Sequence, residues 1–139
     1  MSNVVVANFG DFVEEVVVNR GLSSSNPVVN KEAVDAVAVG DVCVVINNTV
    51  YLADSTNLAH IAKNKLICIN GGLSGEIVTL QAEGQIELVG WGLTVDLPVF
   101  LGPAGSVVAV PPTTGFIQTI GVPITSDVLD IEIGMAVKL

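Results

Sequence analysis

Basic side chains are scarce in this chain. Five Lys and Arg stand against fourteen Asp and Glu, a formal net charge of −9, and none of the five lies between Lys65 and Lys138. A nucleic-acid-binding surface needs a basic patch to displace counterions from phosphates, so nucleic acid is excluded as a partner. The same deficit argues against docking on an anionic membrane surface. Charge of either sign is thin, at 14% of residues, against about 25% in an ordinary soluble domain. Aromatics reach only 4%, too few to line a sugar cleft around a glycosidase's paired carboxylates. Histidine occurs once, at His60, which removes two-histidine metal sites and the His-Glu-x-x-His helix. Cysteine occurs twice; Cys43 and Cys68 each sit in an apolar segment and read as buried free thiols, as in a chain made in the cytoplasm.

What is present is aliphatic. Half of the 139 residues are hydrophobic, and Val (26) and Ile (11) dominate them. These β-branched side chains suit a pleated, half-buried surface better than a helix. Residues 97–126 carry no charge, but five prolines and four glycines interrupt the run, which rules out a spanning helix. Residues 1–6 show neither a basic region nor a long apolar stretch, so no secretory signal is expected.

Punctuation divides the chain in two. Ser23-Ser24-Ser25-Asn26-Pro27 is a loop by composition, setting off an extended N-terminal arm (1–26) from a single β-rich domain (27–139). Segments 42–46 and 49–52 around Asn47-Asn48 predict a hairpin with a two-residue primed turn. Further strands are expected at 66–69, 76–82, 85–89, 97–101, 107–110, 116–122 and 128–133, while 30–39 reads as strand or loop. Asp54 to Lys63 is the one short-helix candidate, capped by Ser or Thr. The expected fold is all-β, a compact sandwich or barrel of short antiparallel strands.

No constellation of catalytic groups emerges. His60, between Ala59 and Ile61, reads as a surface histidine on a short helix, lacking an evident nucleophile or orienting carboxylate. Gly71-Gly72-Leu73-Ser74-Gly75 lacks the phosphate-loop lysine and reads as a β-turn. Glu83, Glu87, Asp127, Asp130 and Glu132 read as solvated outer faces of strands, and no calcium-loop spacing occurs. Asn47-Asn48-Thr49 matches a glycosylation sequon, but the pattern is too short to carry weight without a secretion signal. Trp91, between Gly90 and Gly92, reads as a packing plug at a turn. No cofactor, no metal and no enzymatic activity are expected.

Several segments recur in an order with a precedent. Gly40-Asp41-Val42-Cys43 precedes Val50-Tyr51-Leu52-Ala53-Asp54, then come Gly75-Glu76-Ile77-Val78-Thr79-Leu80-Gln81 and Trp91-Gly92-Leu93-Thr94. Leu97-Pro98-Val99-Phe100-Leu101-Gly102, Pro111-Pro112-Thr113-Thr114-Gly115-Phe116 and Ile120-Gly121-Val122-Pro123-Ile124 complete the series. This order resembles tailed-phage head decoration (capsid cement) proteins and related virion structural domains. The resemblance implies a β-rich homo-oligomer, a trimer, on the outer surface of the virion, synthesised in the host cytoplasm and bound to the major capsid protein. It transfers no catalytic residue. On the arm, Val4, Val5, Val6, Phe9 and Phe12 are the candidate capsid or subunit contacts, because apolar side chains there need something to bury them. The alternative expectation is a carbohydrate- or receptor-binding domain of a phage fibre or tail protein, with Trp91 and Tyr51 in a shallow site.

Overall fold

A computed structural model describes residues 28–139. The proposed arm, with Val4, Val5, Val6, Phe9 and Phe12, lies outside the described residues.

Strands β1 (Val28–Ala33), β2 (Val42–Ile46), β3 (Thr49–Leu52), β4 (Leu66–Asn70) and β5 (Ile77–Gln81) close a barrel in the order β1-β3-β2-β4-β5. Strand β1 makes the closure. It runs antiparallel to β5 from Val28↔Gln81 to Glu32↔Ile77, and parallel to β3 at Ala33↔Val50. The β2–β3 hairpin turns on Asn47 and Asn48, with φ of 52° and 65°. Two successive positive φ values make the primed turn whose twist matches the strands, and asparagine tolerates them.

Period-2 alternation then sorts the side chains. Cys43, Val50, Cys68, Val78 and Leu80, with Ala33, form one buried cluster among the barrel strands. Val42, Val44 and Ile67 alternate with them and belong to a second cluster, so β2 and β4 are apolar on both faces.

That outer face is covered by a second, open sheet. Its strands are β6 (Gly84–Glu87), β7 (Val99–Leu101), β8 (Val107–Val108), β10 (Thr119–Pro123) and β11 (Val128–Ile131), in the order β6-β11-β10-β7-β8. A two-stranded ribbon pairs β9 (Phe116–Ile117) with β12 (Val137–Lys138). Ile86, Val99, Leu101, Phe116, Ile120, Leu129 and Ile131 belong to the same second cluster, so one core is shared between barrel and sheet. The architecture is all-β, as the valine-rich composition predicts.

The differences from the sequence reading have local causes. The strand expected at 116–122 is two strands that pair with different partners, β9 with β12 and β10 with β7 and β11. Gln118 is the residue between them. The strand expected at 97–101 begins only at Val99, since Pro98 has no N–H to give a ladder. Pro111-Pro112 lies beyond β8, which stops at Val108. The helix candidate shrinks to a single 3₁₀ turn, Leu58–His60, and its cap is Asn57, whose side chain accepts from the Ala59 N–H. Asp54 instead takes the Thr56 N–H and hydroxyl in a turn of its own.

Candidate functional site

One open cleft, of about 880 Å³, lies between the barrel and the C-terminal ribbon. Three stretches of chain meet there. The segment after the 3₁₀ turn brings Lys63 and Lys65, the break between β9 and β10 brings Gln118, and the link from β11 to β12 brings Ile133 and Met135. Val29 of β1 and Val45 of β2 form part of the barrel-side wall.

Lys65 is the unexpected member. It is only 3% exposed, and its position before β4 puts it in phase with Ile67 and Ile69, on the face turned toward the second sheet. Its ammonium donates to the Lys63 carbonyl at 2.7 Å and stands 5.2 Å from the centroid of the Phe116 ring. The carbonyl and the ring face both stabilise a cation. Burial nonetheless pushes its pKa down to about 8, because desolvation penalises the charged form.

Gln118 sits beside it, 6% exposed. Its amide nitrogen donates to the Gly134 carbonyl at 2.8 Å, which ties the β9–β10 break to the segment before β12. Its oxygen Oε1 is buried and has no hydrogen-bond partner among the described residues. An unpaired buried acceptor costs of order 1–3 kcal/mol, so this oxygen invites a donor.

No described residue lining the cleft bears a carboxylate, thiol, hydroxyl or imidazole. The lining sets two lysines and the Asn64 and Gln118 amides among aliphatic walls. The described residues contain no group of three or more His, Cys, Asp or Glu placed to hold a metal ion. No helix among them is long and apolar enough to cross a membrane.

His60 is not at the surface, contrary to the sequence reading. It is 7% exposed, and its Nδ1 accepts the Asp54 N–H at 3.2 Å. Burial lowers its pKa, with Asp54 opposing and Lys65 and Lys63 adding to the fall. The imidazole is a neutral hydrogen-bonding strut inside the 54–60 loop. Asp54 responds differently: burial raises its pKa, but hydrogen bonds from Thr56 and Ala104 and the nearby His60 outweigh that and lower it. Cys43 and Cys68 are buried free thiols, and burial raises both pKa values.

The aromatic pair of the alternative reading is drawn inward. Trp91 and Tyr51 are both half-buried and pack against the shared core; Trp91 also lies across Gly40. The glycine-rich 71–75 segment is bonded to its own chain, with Ser74 Oγ on the Val34 carbonyl and Glu76 accepting the Leu73 N–H. Glu83, Glu87 and Glu132 are exposed, and Asp127 accepts the Gly90 N–H across a loop. Sequence reasoning missed Lys65 and Gln118. Extending the alternation of 66–69 one residue upstream would have placed Lys65 inward.

No family model, curated protein or solved structure matches this chain.

Proposed function

We propose that the protein is a non-enzymatic structural subunit of a phage virion, which binds the outside of the assembled capsid and stabilises it. The observation that carries this reading is an apolar end on the second sheet. The 88–96 loop is laced to the 123–127 turn by hydrogen bonds from Leu88 to Asp127, Leu93 to Ser126 and Asp96 to Pro123. Val89, Val95, Leu97 and Ile124 stand exposed on or beside these joined segments, Val89 at 81%. Grouped apolar exposure of this kind marks interaction surfaces. The order of segments that resembles capsid decoration proteins supplies the partner class: the major capsid protein, with trimers of this chain on the outer shell.

The energetics suit a lattice. A modest contact repeated through an oligomer gains avidity without new contacts. A protein that binds the assembled lattice and not the loose subunit favours the lattice by mass action. The test is co-sedimentation of the purified protein with capsid shells, beside the Val89→Asp/Leu97→Asp double variant. Retention of the wild type and loss of the folded variant are expected. A wild type that stays in the supernatant, or a glycan-array signal without shell binding, overturns the reading.

A further inference from the structure

A short stretch of backbone hooks the barrel onto the other half of the molecule. The Ala53 carbonyl accepts the Gly105 N–H, the Ser55 N–H donates to the Gly102 carbonyl, and the Ser55 carbonyl accepts the Phe116 N–H. Residues 53–55 follow β3 of the barrel, Gly102 follows β7, and Phe116 opens β9. The segment is thus a hydrogen-bonded joint between the two halves.

Asp54, its middle residue, gives its N–H to Nδ1 of His60 at 3.2 Å. The other ring nitrogen, Nε2, lies 3.4 Å from the Asn57 amide nitrogen, and Asn57 Oδ1 is committed to the Ala59 N–H. Both ring nitrogens therefore face N–H donors, and neither has an acceptor among the described residues. An imidazolium donates from both nitrogens, so the closed loop seats the neutral ring and rejects the charged one. Asp54, Lys65 and Lys63 are the charged groups that act on the ring, Asp54 favouring the cation and the lysines opposing it. Asp54 is held below 3.8 and Lys65 titrates near 8, so neither titrates between pH 6.5 and 5.

We propose that His60 is an acid-operated latch on this joint: proton uptake by the ring frees residues 53–60 and releases the bonds to Gly102, Gly105 and Phe116. The proton need not enter the closed loop. Spontaneous local opening wets the imidazole, the wet ring takes up a proton, and it regains its seat only by giving that proton back. The balance therefore shifts toward the open joint as pH falls below the ordinary value of 6.5, by up to about tenfold per pH unit for one linked proton. His60 is the chain's only histidine, so no second imidazole shares the effect. The inference does not depend on what the molecule as a whole binds.

Amide hydrogen exchange of the full chain at pH 6.5 and pH 5, read by NMR as protection relative to the unstructured rate at each pH, tests this. Protection at Asp54, Gly105 and Phe116 should fall together by roughly tenfold, with β1 and β5 unchanged. In H60N, whose Oδ1 can accept the Asp54 N–H but takes up no proton, these amides should keep their protection. Nitrogen-15 shifts of the wild-type ring give a second check that needs no variant: at pH 7 the hydrogen is expected on Nε2, with Nδ1 free to accept. The proposal is overturned if the three amides stay equally protected at pH 5, or if β1 and β5 lose protection to the same extent. It is also overturned if H60N shows the same fall, or if the ring carries its hydrogen on Nδ1.

Discussion

The barrel and the second sheet solve the problem of strand edges in opposite ways. Every barrel strand is paired on both sides, because β1 closes β3 to β5. The open sheet ends in β6 on one side and in the two-residue β8 on the other. Each half has one register shift, between Thr119 and Gly121 in the open sheet and between Cys68 and Asn70 in the barrel. The most exposed apolar residues fall in this half: Val89 (81%), Val110 (76%) and Met135 (85%). Closure lets the barrel serve as a rigid base, with a core of its own and an outer face lent to its neighbour. The open half carries the unpaired edges and the most exposed apolar side chains. Exposed edges are a hazard unless short or covered, and shortness is the device used at β8.

Substitutions at the joint between the halves should have the largest effect. Gly115 adopts φ of 79°, and a Cβ there would run into the Ser55 carbonyl, which also accepts the Phe116 N–H. Gly115→Ala should cost more than about 3 kcal/mol, from strain and clash together. Gly75 has a similar φ of 88° but nothing within 4 Å, so Gly75→Ala should cost only about 1–2 kcal/mol. Denaturant midpoints of the two variants check the difference; equal losses would mean that conformation alone decides.

Phe116→Ala should cost about 3–5 kcal/mol, and its damage should be one-sided. Phe116 belongs to the shared core and not to the barrel's own cluster. Hydrogen exchange in this variant should quicken most at β7, β10 and β11 and least at β1 and β5. Uniform acceleration would show that the halves open as one unit.

His60→Ala should cost about 1–2 kcal/mol by removing the acceptor of the Asp54 N–H. The folded pKa of His60 lies below its ordinary value of 6.5, so the unfolded chain binds this proton first. The wild type therefore loses stability as pH falls below about 6.5, and that loss is complete once the folded pKa is passed. Thermal melts from pH 7 to 5 should show a shallower acid slope in the variant.

The smallest effect concerns Lys65. Its ammonium gives up a proton near pH 8 when folded and near 10.5 when unfolded. The burial penalty is then full below pH 8 and is relieved as pH rises through that window. Stability should therefore rise between pH 8 and 9, by under about 1 kcal/mol after solvent screening, and Lys65→Met should flatten that rise in denaturant midpoints taken across the window. Above pH 9 the raised thiols of Cys43 and Cys68 act oppositely, since the unfolded thiols ionise first.

Strand content was legible because alternation and turn residues are local. Asn47-Asn48 announced its hairpin, and the spans 42–46 and 49–52 match β2 and β3. Pairing was less legible. Nothing in Phe116-Ile117-Gln118-Thr119 indicates that the chain changes partner at Gln118, because that follows from which strands lie alongside. Burial of charged and polar residues was least legible. Lys65 and His60 look like surface residues by type, and only the packing of Phe116 and the 54–60 loop takes them inside.

Barrel closure by β1 also sets an order of assembly. Val28 pairs with Gln81, so the first of the described strands must wait for more than fifty residues of chain before its antiparallel partner exists. At roughly 5–20 residues per second on the ribosome, that wait lasts seconds. Non-local pairing of this kind slows folding, because loop entropy is lost before contacts compensate for it. The β2–β3 hairpin is local and can form early, leaving β3 with an open flank until β1 arrives. Barrel closure is thus expected to be the late, rate-limiting step, and the nascent chain is most vulnerable to misassociation just before residue 81 emerges.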